Sequence, residues 1–149
     1  MLIRKASLED AERIAKNNVN LAFESENVSI CYEKTLKGVR TVIEDRGKGF
    51  YLVAEEDDRI IGQLMVTYEW SDWRGAEIWW LQSIYVSGKW RRKGVMKKLL
   101  EEVKKMALEN GVCELRLYVH HDNKNAIMAY EKSGMVRLPY YIFSENLSN

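Results

Sequence analysis

A run of cations precedes a glycine at the point where an apolar strand pattern gives way to an amphipathic helix pattern. Arg91, Arg92 and Lys93 come directly before Gly94. The first N–H groups of a helix have no partner within it and lie at the positive end of its dipole, so phosphate oxygens suit them. Gly94 has no side chain that would keep a phosphate from its backbone. A solvated basic turn explains the same pattern, and the spacing alone leaves both interpretations open.

Two common phosphate-binding signatures are absent from this segment, namely the G-x-x-x-x-G-K-[ST] of P-loops and the G-x-G-x-x-G of dinucleotide-binding folds. The formal net charge of the chain is +1, so any attraction for anions must be local. We therefore expect no nucleic-acid partner.

The elements that must position this segment follow from the hydrophobic periodicity. Strands are predicted at residues 2–6, 50–56, 59–70, 77–86 and 114–119, with one or two closing strands in 135–146. Helices are predicted after the N-cap Ser7, over 32–45, from Gly94 to Gly111 and over 123–133. Antiparallel strands followed by a strand–helix–strand unit predict an α+β fold with a mixed sheet.

The length of 149 residues and the absence of linkers or repeats predict a single domain over residues 1–149. Cys31 and Cys113 have neither metal nor redox spacing and are expected to be reduced thiols. The sequence contains neither a targeting segment nor a membrane-length apolar run. We therefore expect a cytoplasmic protein without a membrane partner.

A histidine pair, His120 and His121, stands beside Asp122 near the end of a predicted strand. Adjacent residues on a strand point to opposite faces, and no third ligand has suitable spacing. The sequence therefore predicts that the protein binds no metal.

Two motifs give the chain a resemblance to the GNAT N-acetyltransferase superfamily. The segment IYVSGKWRRKGVMKKLL is similar to motif A, in which a strand leads into a [Q/R]-x-x-G-x-[G/A] loop around the CoA pyrophosphate. Arg91 and Gly94 match, whereas Met96 stands where the family prefers Gly or Ala. Asn123 to Met135 is similar to N-x-x-A-x-x-x-Y-x-x-x-G-F, with Met135 replacing Phe. The resemblance implies a GNAT-type, mostly antiparallel sheet with a splayed central parallel strand pair and helices on both faces.

The resemblance also implies acetyl-CoA as co-substrate and acetyl transfer to a primary amine in a ternary complex. The pantetheine arm would lie between the strands at 77–86 and 114–119 as an added strand. Implied cofactor contacts are Ile84, Tyr85, Val86, Arg91, Arg92, Lys93, Gly94, Val95, Met96 (through its backbone) and Asn123. A backbone N–H near Ser83 or Ile84 would polarise the thioester carbonyl.

Tyr130 matches the family's general-acid tyrosine, which would protonate the departing thiolate; its alternative role is that of a packed aromatic. The general base is left open. Trp80 and Gln82 occupy the strand positions where a base is sought, and neither can act as one. Glu24, Glu26 or Glu69 could act through a water, although each is also explained as a surface carboxylate.

Aromatic and acidic residues cluster in YEWSDWRGAEIWW, and aromatic faces with carboxylates suit a cationic amine. The substrate candidates are Glu26, Glu69, Trp79 and Gln82. A faint similarity of YEWSDWR to diamine-type acetyltransferases favours a small polyamine or an amino-acid-like amine. Core and dimer packing explain the tryptophans equally well, so a homodimer is a reasonable expectation.

Three further functions stay open at this level. The domain could bind acyl-CoA without catalysis, acetylate protein lysines or N-termini, or bind RNA or phosphate through its basic loop. Resemblance of fold cannot choose among substrates.

Overall fold

The computed structural model describes residues 1–148 and shows a five-stranded sheet between helices. The strands are β1 (Leu2–Lys5), β2 (Gly49–Glu56), β3 (Arg59–Ser71), β4 (Ala76–Val86) and β5 (Glu114–Arg116). The helices are α1 (Ala11–Glu26), α2 (Tyr32–Glu44), α3 (Val95–Glu109) and α4 (Lys124–Lys132). Single 3-10 turns precede α1, at Leu8–Asp10, and α3, at Gly88–Trp90. The predicted α+β fold class is confirmed.

The strands lie in the order β1-β2-β3-β4-β5, and each adjacent pair is antiparallel except β4 and β5, which are parallel. The parallel pair is joined only from Ile78, opposite Glu114, to Trp80, opposite Arg116. Beyond these residues β4 continues for six residues without β5 beside it. The predicted splay is confirmed, although β5 is shorter than the strand predicted over 114–119.

Two apolar clusters hold the helices to opposite faces of the sheet. On one face α1 and α2 contribute Ile14 and Val39, which pack against Val53 of β2. On the other face Leu99 and Val103 of α3 pack over the strands. All five side chains are at most 2% exposed, and burying each stabilises the fold by roughly 1.5–3 kcal/mol.

The start of α3 lies unusually close to the sheet. A Cβ atom added to Gly62 in β3 would lie 2.7 Å from Cγ1 of Val95, so only glycine allows this approach. Gly62 pairs with Val86, the last residue of β4. This packing holds the N-terminus of α3 against the end of β4, where the sequence places the phosphate-binding loop.

The predicted closing strands are absent from the described residues, because 135–148 are assigned neither strand nor helix. This prediction is wrong for a physical reason. Apolar and aromatic residues form a strand only when they pair with a neighbouring strand, and within residues 1–148 this segment pairs with none of the five strands.

Candidate active site

The loop before α3 has the backbone geometry of an anion site. Gly94 precedes the helix with a φ of 82°, and Arg92 has a φ of 63°, so two residues lie in the left-handed region. Within residues 1–148 the backbone N–H groups of residues 92–96 donate to no protein acceptor. Unpaired N–H groups at the N-terminus of a 15-residue helix attract phosphate oxygens.

Arg91, in contrast, is already engaged. Its Nη2 donates to Oε1 of Glu24 over 2.6 Å, and its Nε donates to the carbonyl of Val86 over 2.9 Å. Tyr85, which is buried, donates its hydroxyl to Oε2 of Glu24 over 2.7 Å. Partial burial disfavours the charged Glu24, but the hydrogen bonds from Arg91 and Tyr85 outweigh it and lower the carboxyl pKa. Arg91 therefore anchors the loop to α1, and the Val86 carbonyl already accepts one hydrogen bond.

A cleft of about 350 Å³ opens where β4 and β5 separate. Its walls come from α1, the start of α2, β4, the segment after β5, and α4. The lining residues are Asn18, Leu21, Ala22, Ser25, Glu26, Ile30, Thr35, Leu81, Gln82, Ser83, Ile84, Tyr118, Val119, His120, Asn123 and Tyr130. The structure thus brings together Glu26, Gln82, Ile84, Asn123 and Tyr130 from the predicted set.

The β4 wall of the cleft is bulged. The β3–β4 register shifts between Gln63 and Met65, and Ser83 has a φ of 50°, in the left-handed region. The fully buried Gln63 donates from Nε2 to the Ser83 carbonyl over 3.2 Å and to Oδ1 of Asn18 over 2.8 Å. Its Oε1 accepts from Asn17 over 3.0 Å. This buried amide network fixes the bulge and turns backbone groups of β4 out of the regular ladder.

Tyr130 lies on α4, packs against the cluster around α3 and lines the cleft. Burial raises its pKa to about 12. The side chain is therefore a neutral phenol at physiological pH, which can donate a proton or a hydrogen bond.

Asn123 has a structural role that the motif did not reveal. Its Oδ1 accepts from the backbone N–H of Ala126 over 3.3 Å and caps α4. Such a cap stabilises a helix by about 1 kcal/mol. The same residue lines the cleft, so capping holds it beside any ligand bound there.

The three candidate carboxylates differ in what they already contact. Glu24 is held by Arg91 and Tyr85, as described above. Glu69 does not line the cleft. Its Oε1 accepts a hydrogen bond from Nε1 of Trp80 over 2.9 Å, and its Oε2 lies 3.8 Å from Nη1 of Arg116. Glu26 is exposed, lines the cleft and, among the described residues, has neither a side-chain hydrogen bond nor an ion pair. Of the three, Glu26 is the one available to a ligand.

The assignment of Trp79 to substrate binding is wrong. Its side chain is 4% exposed and packs edge-on against Phe50, with ring centroids 5.5 Å apart. Alternation along β4 turns Trp79 towards the α3 side of the sheet. Gln82, by contrast, lines the cleft and donates to Thr67 over 2.6 Å.

The predicted arrangement of the histidine pair is also wrong. The rings of His120 and His121 lie close together, with centroids 4.6 Å apart, because β5 ends at Arg116 and His121 already belongs to a turn. Ligand atoms of these residues and Asp122 lie within 4.8 Å of one another, and all three are exposed. Nδ1 of His120 accepts a hydrogen bond from the backbone N–H of Asp122 over 3.1 Å.

A model of the acetyltransferase (GNAT) family matches residues 8–135, which include the loop, the bulge and Tyr130. The chain belongs to the GNAT acetyltransferase family. The chain is similar to the crystal structure of a possible acetyltransferase from Clostridium difficile 630, with 37% identity, a TM-score of 0.91 and coverage of 99% of this chain and 98% of that one.

Two other relatives extend the comparison. Thialysine N-epsilon-acetyltransferase from Bos taurus is 33% identical over 75 residues, which are 50% of this chain and 44% of that protein. The chain thus matches less than half the length of this curated relative. A predicted acetyltransferase from Clostridium acetobutylicum, solved with acetyl-CoA, shares the GNAT fold, with a TM-score of 0.79, 13% identity and coverage of 97% and 95% of the two chains.

Several features of this GNAT site were missed by sequence reasoning. Gln63 interrupts an apolar strand, and Asn17 lies on the buried side of α1; both are signals of a buried polar network. His120 lies in the cleft wall, a position that its place in the sequence does not reveal. None of the helices within residues 1–148 has both the length and the apolar character needed to cross a membrane.

Proposed function

We propose that this protein transfers the acetyl group of acetyl-CoA to a primary amine, with a small polyamine or an amino-acid-like amine as the acceptor. The observation that carries the proposal is the placement of the cleft. It opens at the splay between β4 and β5, and it contains the bulged backbone of Ser83 on one wall and the phenol of Tyr130 on another.

The residues fit coenzyme A. The free N–H groups of residues 92–96 would bind the diphosphate, and Arg92 and Lys93, both exposed, would add positive charge. Because the splay leaves one edge of β4 without a strand beside it, Ile84 offers backbone groups to the amides of the pantetheine arm. Arg91 would keep the loop in place through Glu24.

Acetyl-CoA supplies an activated thioester, and the chain supplies the groups that surround it. A neutral amine attacks the thioester carbonyl, a carbon–nitrogen bond forms, and the carbon–sulfur bond breaks. Backbone N–H groups at the bulge near Ser83 would stabilise negative charge on the carbonyl oxygen. Tyr130 would give its proton to the departing sulfur, while the proton lost by the amine passes to solvent and restores the phenol.

The acceptor should be cationic before it reacts, because Glu26 is the cleft carboxylate without a protein partner among the described residues. An ammonium group at one end of a diamine or of an amino acid would pair with Glu26 while the other amine reacts. Gln82 and His120 add polar groups to the same walls. The name of the bovine relative, thialysine N-epsilon-acetyltransferase, supports an amino-acid-like amine.

A thiol-release assay with acetyl-CoA tests both the acetyl transfer and the proposed class of acceptor. Diamines, basic amino acids, neutral monoamines and lysine-containing peptides are compared as acceptors. We expect amine-dependent release of free thiol, with diamines or basic amino acids preferred. Release with peptides alone would support a protein acetyltransferase instead, and binding of CoA without release for any amine would support a non-catalytic module.

The role of Glu26 is tested by Glu26→Gln, with Glu69→Gln as the matched control outside the cleft. We expect Glu26→Gln to raise the KM for a cationic amine about tenfold, which corresponds to about 1.4 kcal/mol, and to leave the KM for acetyl-CoA unchanged. Glu69→Gln should leave both values near those of the wild type. Equal effects of the two substitutions would remove Glu26 from the substrate site.

A further inference from the structure

A fully buried glutamine lies behind the β4 wall of the cleft. Gln63 of β3 is 0% exposed and pairs with Val53 of β2, so the two side chains share the face of the sheet that α1 covers. Burying an amide costs free energy unless its hydrogen bonds are made, whereas an apolar residue fills such a position without that cost. A glutamine at this position is therefore explained by what its amide holds.

The amide of Gln63 joins α1 to β4. Its Oε1 accepts from Nδ2 of Asn17 over 3.0 Å, and its Nε2 donates to Oδ1 of Asn18 over 2.8 Å. The same Nε2 donates to the carbonyl of Ser83 over 3.2 Å. An amide group has two hydrogens to donate, and both are engaged. The side chain of Gln63 is thus held in one orientation, with one of its hydrogens on the backbone of β4.

The backbone that Gln63 contacts is strained. Ser83 has a φ of 50°, and a residue with a Cβ atom adopts the left-handed region only at a cost in free energy. The β3–β4 register gives neither Ser83 nor Ile84 a Cα partner on β3. The hydrogen bond from Gln63 therefore supports the Ser83–Ile84 peptide at the point where the regular ladder is interrupted.

This support also fixes a backbone donor. The carbonyl of Ser83 and the N–H of Ile84 belong to one planar trans peptide, so they point in opposite directions. A carbonyl held on Gln63 thus turns the N–H of Ile84 away from the buried amide, and both Ser83 and Ile84 line the cleft.

We propose that Gln63 is a positioning residue for acetyl transfer, which holds the Ser83–Ile84 peptide so that the N–H of Ile84 meets the carbonyl oxygen of the thioester. The inference rests on the proposed function, because it names what keeps the backbone donor of that reaction in place. Gln63 acts through the backbone of β4, since its own side chain is fully buried.

Steady-state kinetics of Gln63→Leu test the proposal. Loss of an oxyanion donor lowers kcat about 10²- to 10³-fold, and here the donor stays but loses its support, so we expect a fall of about 30-fold. The KM for acetyl-CoA should change less than about twofold, because the phosphate contacts of residues 92–96 lie on another element. Gln63→Met, which keeps the length of the side chain without its hydrogen bonds, should behave in the same way.

Val53→Ala is the matched control for lost stability. Val53 is as buried as Gln63 and lies beside it on the same face, but it is one strand further from β4. Val53→Ala should lower the free energy of unfolding and leave kcat near that of the wild type. Equal kcat values of Gln63→Leu and Val53→Ala would overturn the proposal, since packing alone would then account for Gln63.

A glycine at residue 83 tests whether the effect passes through the strained backbone. Glycine adopts a positive φ without the cost of a Cβ atom, so Gln63→Leu/Ser83→Gly should have a kcat about threefold or more above that of Gln63→Leu. No recovery of kcat in the double variant would show that Gln63 does not act through Ser83 and would overturn the proposal.

Infrared difference spectroscopy of bound acetyl-CoA, with an isotope-labelled thioester carbonyl and no amine, separates this inference from acetyl transfer. A hydrogen bond to the carbonyl oxygen lowers its stretching frequency. We expect a lower frequency in the wild type and in Val53→Ala than in either Gln63 variant. The same frequency in all four proteins would overturn the inference even where acetyl transfer is observed. A frequency that depends on Gln63, without transfer to any amine, would support the inference and remove the proposed function.

Discussion

Replacing Tyr130 with phenylalanine removes one hydroxyl and keeps the ring, so it separates proton donation from packing. The pKa of Tyr130 is raised by burial to about 12, whereas a thiol has a pKa of about 8.5. Full transfer of the proton to a free thiolate is therefore uphill by about 3.5 pKa units, or about 5 kcal/mol. Sulfur becomes more basic as the carbon–sulfur bond breaks, so the phenol releases its proton late in that step.

The difference between the pKa of Tyr130 and that of the thiol limits how much Tyr130 can contribute to kcat. General acids contribute about 10²- to 10⁴-fold, and the best donors have a pKa near the working pH. We expect Tyr130→Phe to lower kcat about 100-fold, at the lower end of that range, which corresponds to about 2.7 kcal/mol. The affinity for CoA should stay within about twofold, because the ring still packs against the cluster around α3.

The assay combines steady-state thiol release with calorimetric titration of CoA, and both are repeated across pH. Since the pKa of Tyr130 lies at about 12, no loss of kcat below pH 10 should come from its ionisation. Retention of kcat within twofold of the wild type would refute the assignment. An alkaline inflection below pH 10 that disappears in Tyr130→Phe would refute the pKa argument.

The same shift affects stability, and its sign is fixed by linkage. The folded-state pKa of Tyr130 is raised above the ordinary value of 10.0 to about 12. Its contribution is therefore present below pH 10 and is lost as the pH rises towards 12. Over that interval the wild type should lose about 1.4 kcal/mol more per pH unit than Tyr130→Phe, measured by urea unfolding.

Three further perturbations follow from the geometry. Gly94→Ala places a side chain at a residue with left-handed backbone, which costs about 1–2 kcal/mol, and should raise the Kd for CoA about tenfold. Gly88→Ala is the control, because Gly88 has open space around it and no positive φ. Gln63→Leu leaves the amides of Asn17 and Asn18 without their partner and should lower the free energy of unfolding by about 1–3 kcal/mol in urea titrations. The hydrogen bonds from Arg4 are the main cause of the lowered carboxyl pKa of Asp10, so Asp10 stabilises the fold above pH 4 and loses this effect at lower pH. In Asp10→Asn the midpoint of thermal unfolding should therefore depend less on pH in the acid range.

Each of these three expectations has an opposite result that would contradict it. Equal CoA affinities of Gly94→Ala and Gly88→Ala would show that the loop conformation does not govern binding. Unchanged stability of Gln63→Leu would mean that the buried amide network contributes nothing net. An acid transition with the same midpoint and steepness in Asp10→Asn would place the acid sensitivity at other carboxylates.

The hydrophobic periodicity of the sequence predicts most of the helices and strands. The helix predicted over 32–45 is α2 (Tyr32–Glu44), and the strand predicted over 77–86 is β4 (Ala76–Val86). The apolar side of the amphipathic helix predicted after Gly94 is in the core, where Val95, Leu99 and Val103 are buried. These elements were predictable because each has one clear apolar face or run, and the core must bury it.

The errors lie where a side chain's surroundings come from another part of the chain. Trp79 and Trp80 are neighbours in a largely apolar strand, yet Trp79 is in the core while Trp80 contacts Glu69 and Tyr118. Alternation shows that the two point apart, but not which face α3 covers. The prediction that His120 and His121 point to opposite faces is wrong for a similar reason, because the sequence does not show that β5 ends at Arg116.

The sequence by itself determined four local features. They are the glycine before α3, the cations around it, the tyrosine on α4 and the apolar segment that follows α4. Their residue types and spacing are properties of the chain, so no contact is needed to recognise them. Tertiary structure alone decided which carboxylate is free, because Glu24 and Glu69 pair with arginines far away in the chain while Glu26 has no such partner within residues 1–148. It also decided where the cleft opens, since the separation of β4 from β5 and the bulge held by Gln63 both depend on packing between distant elements.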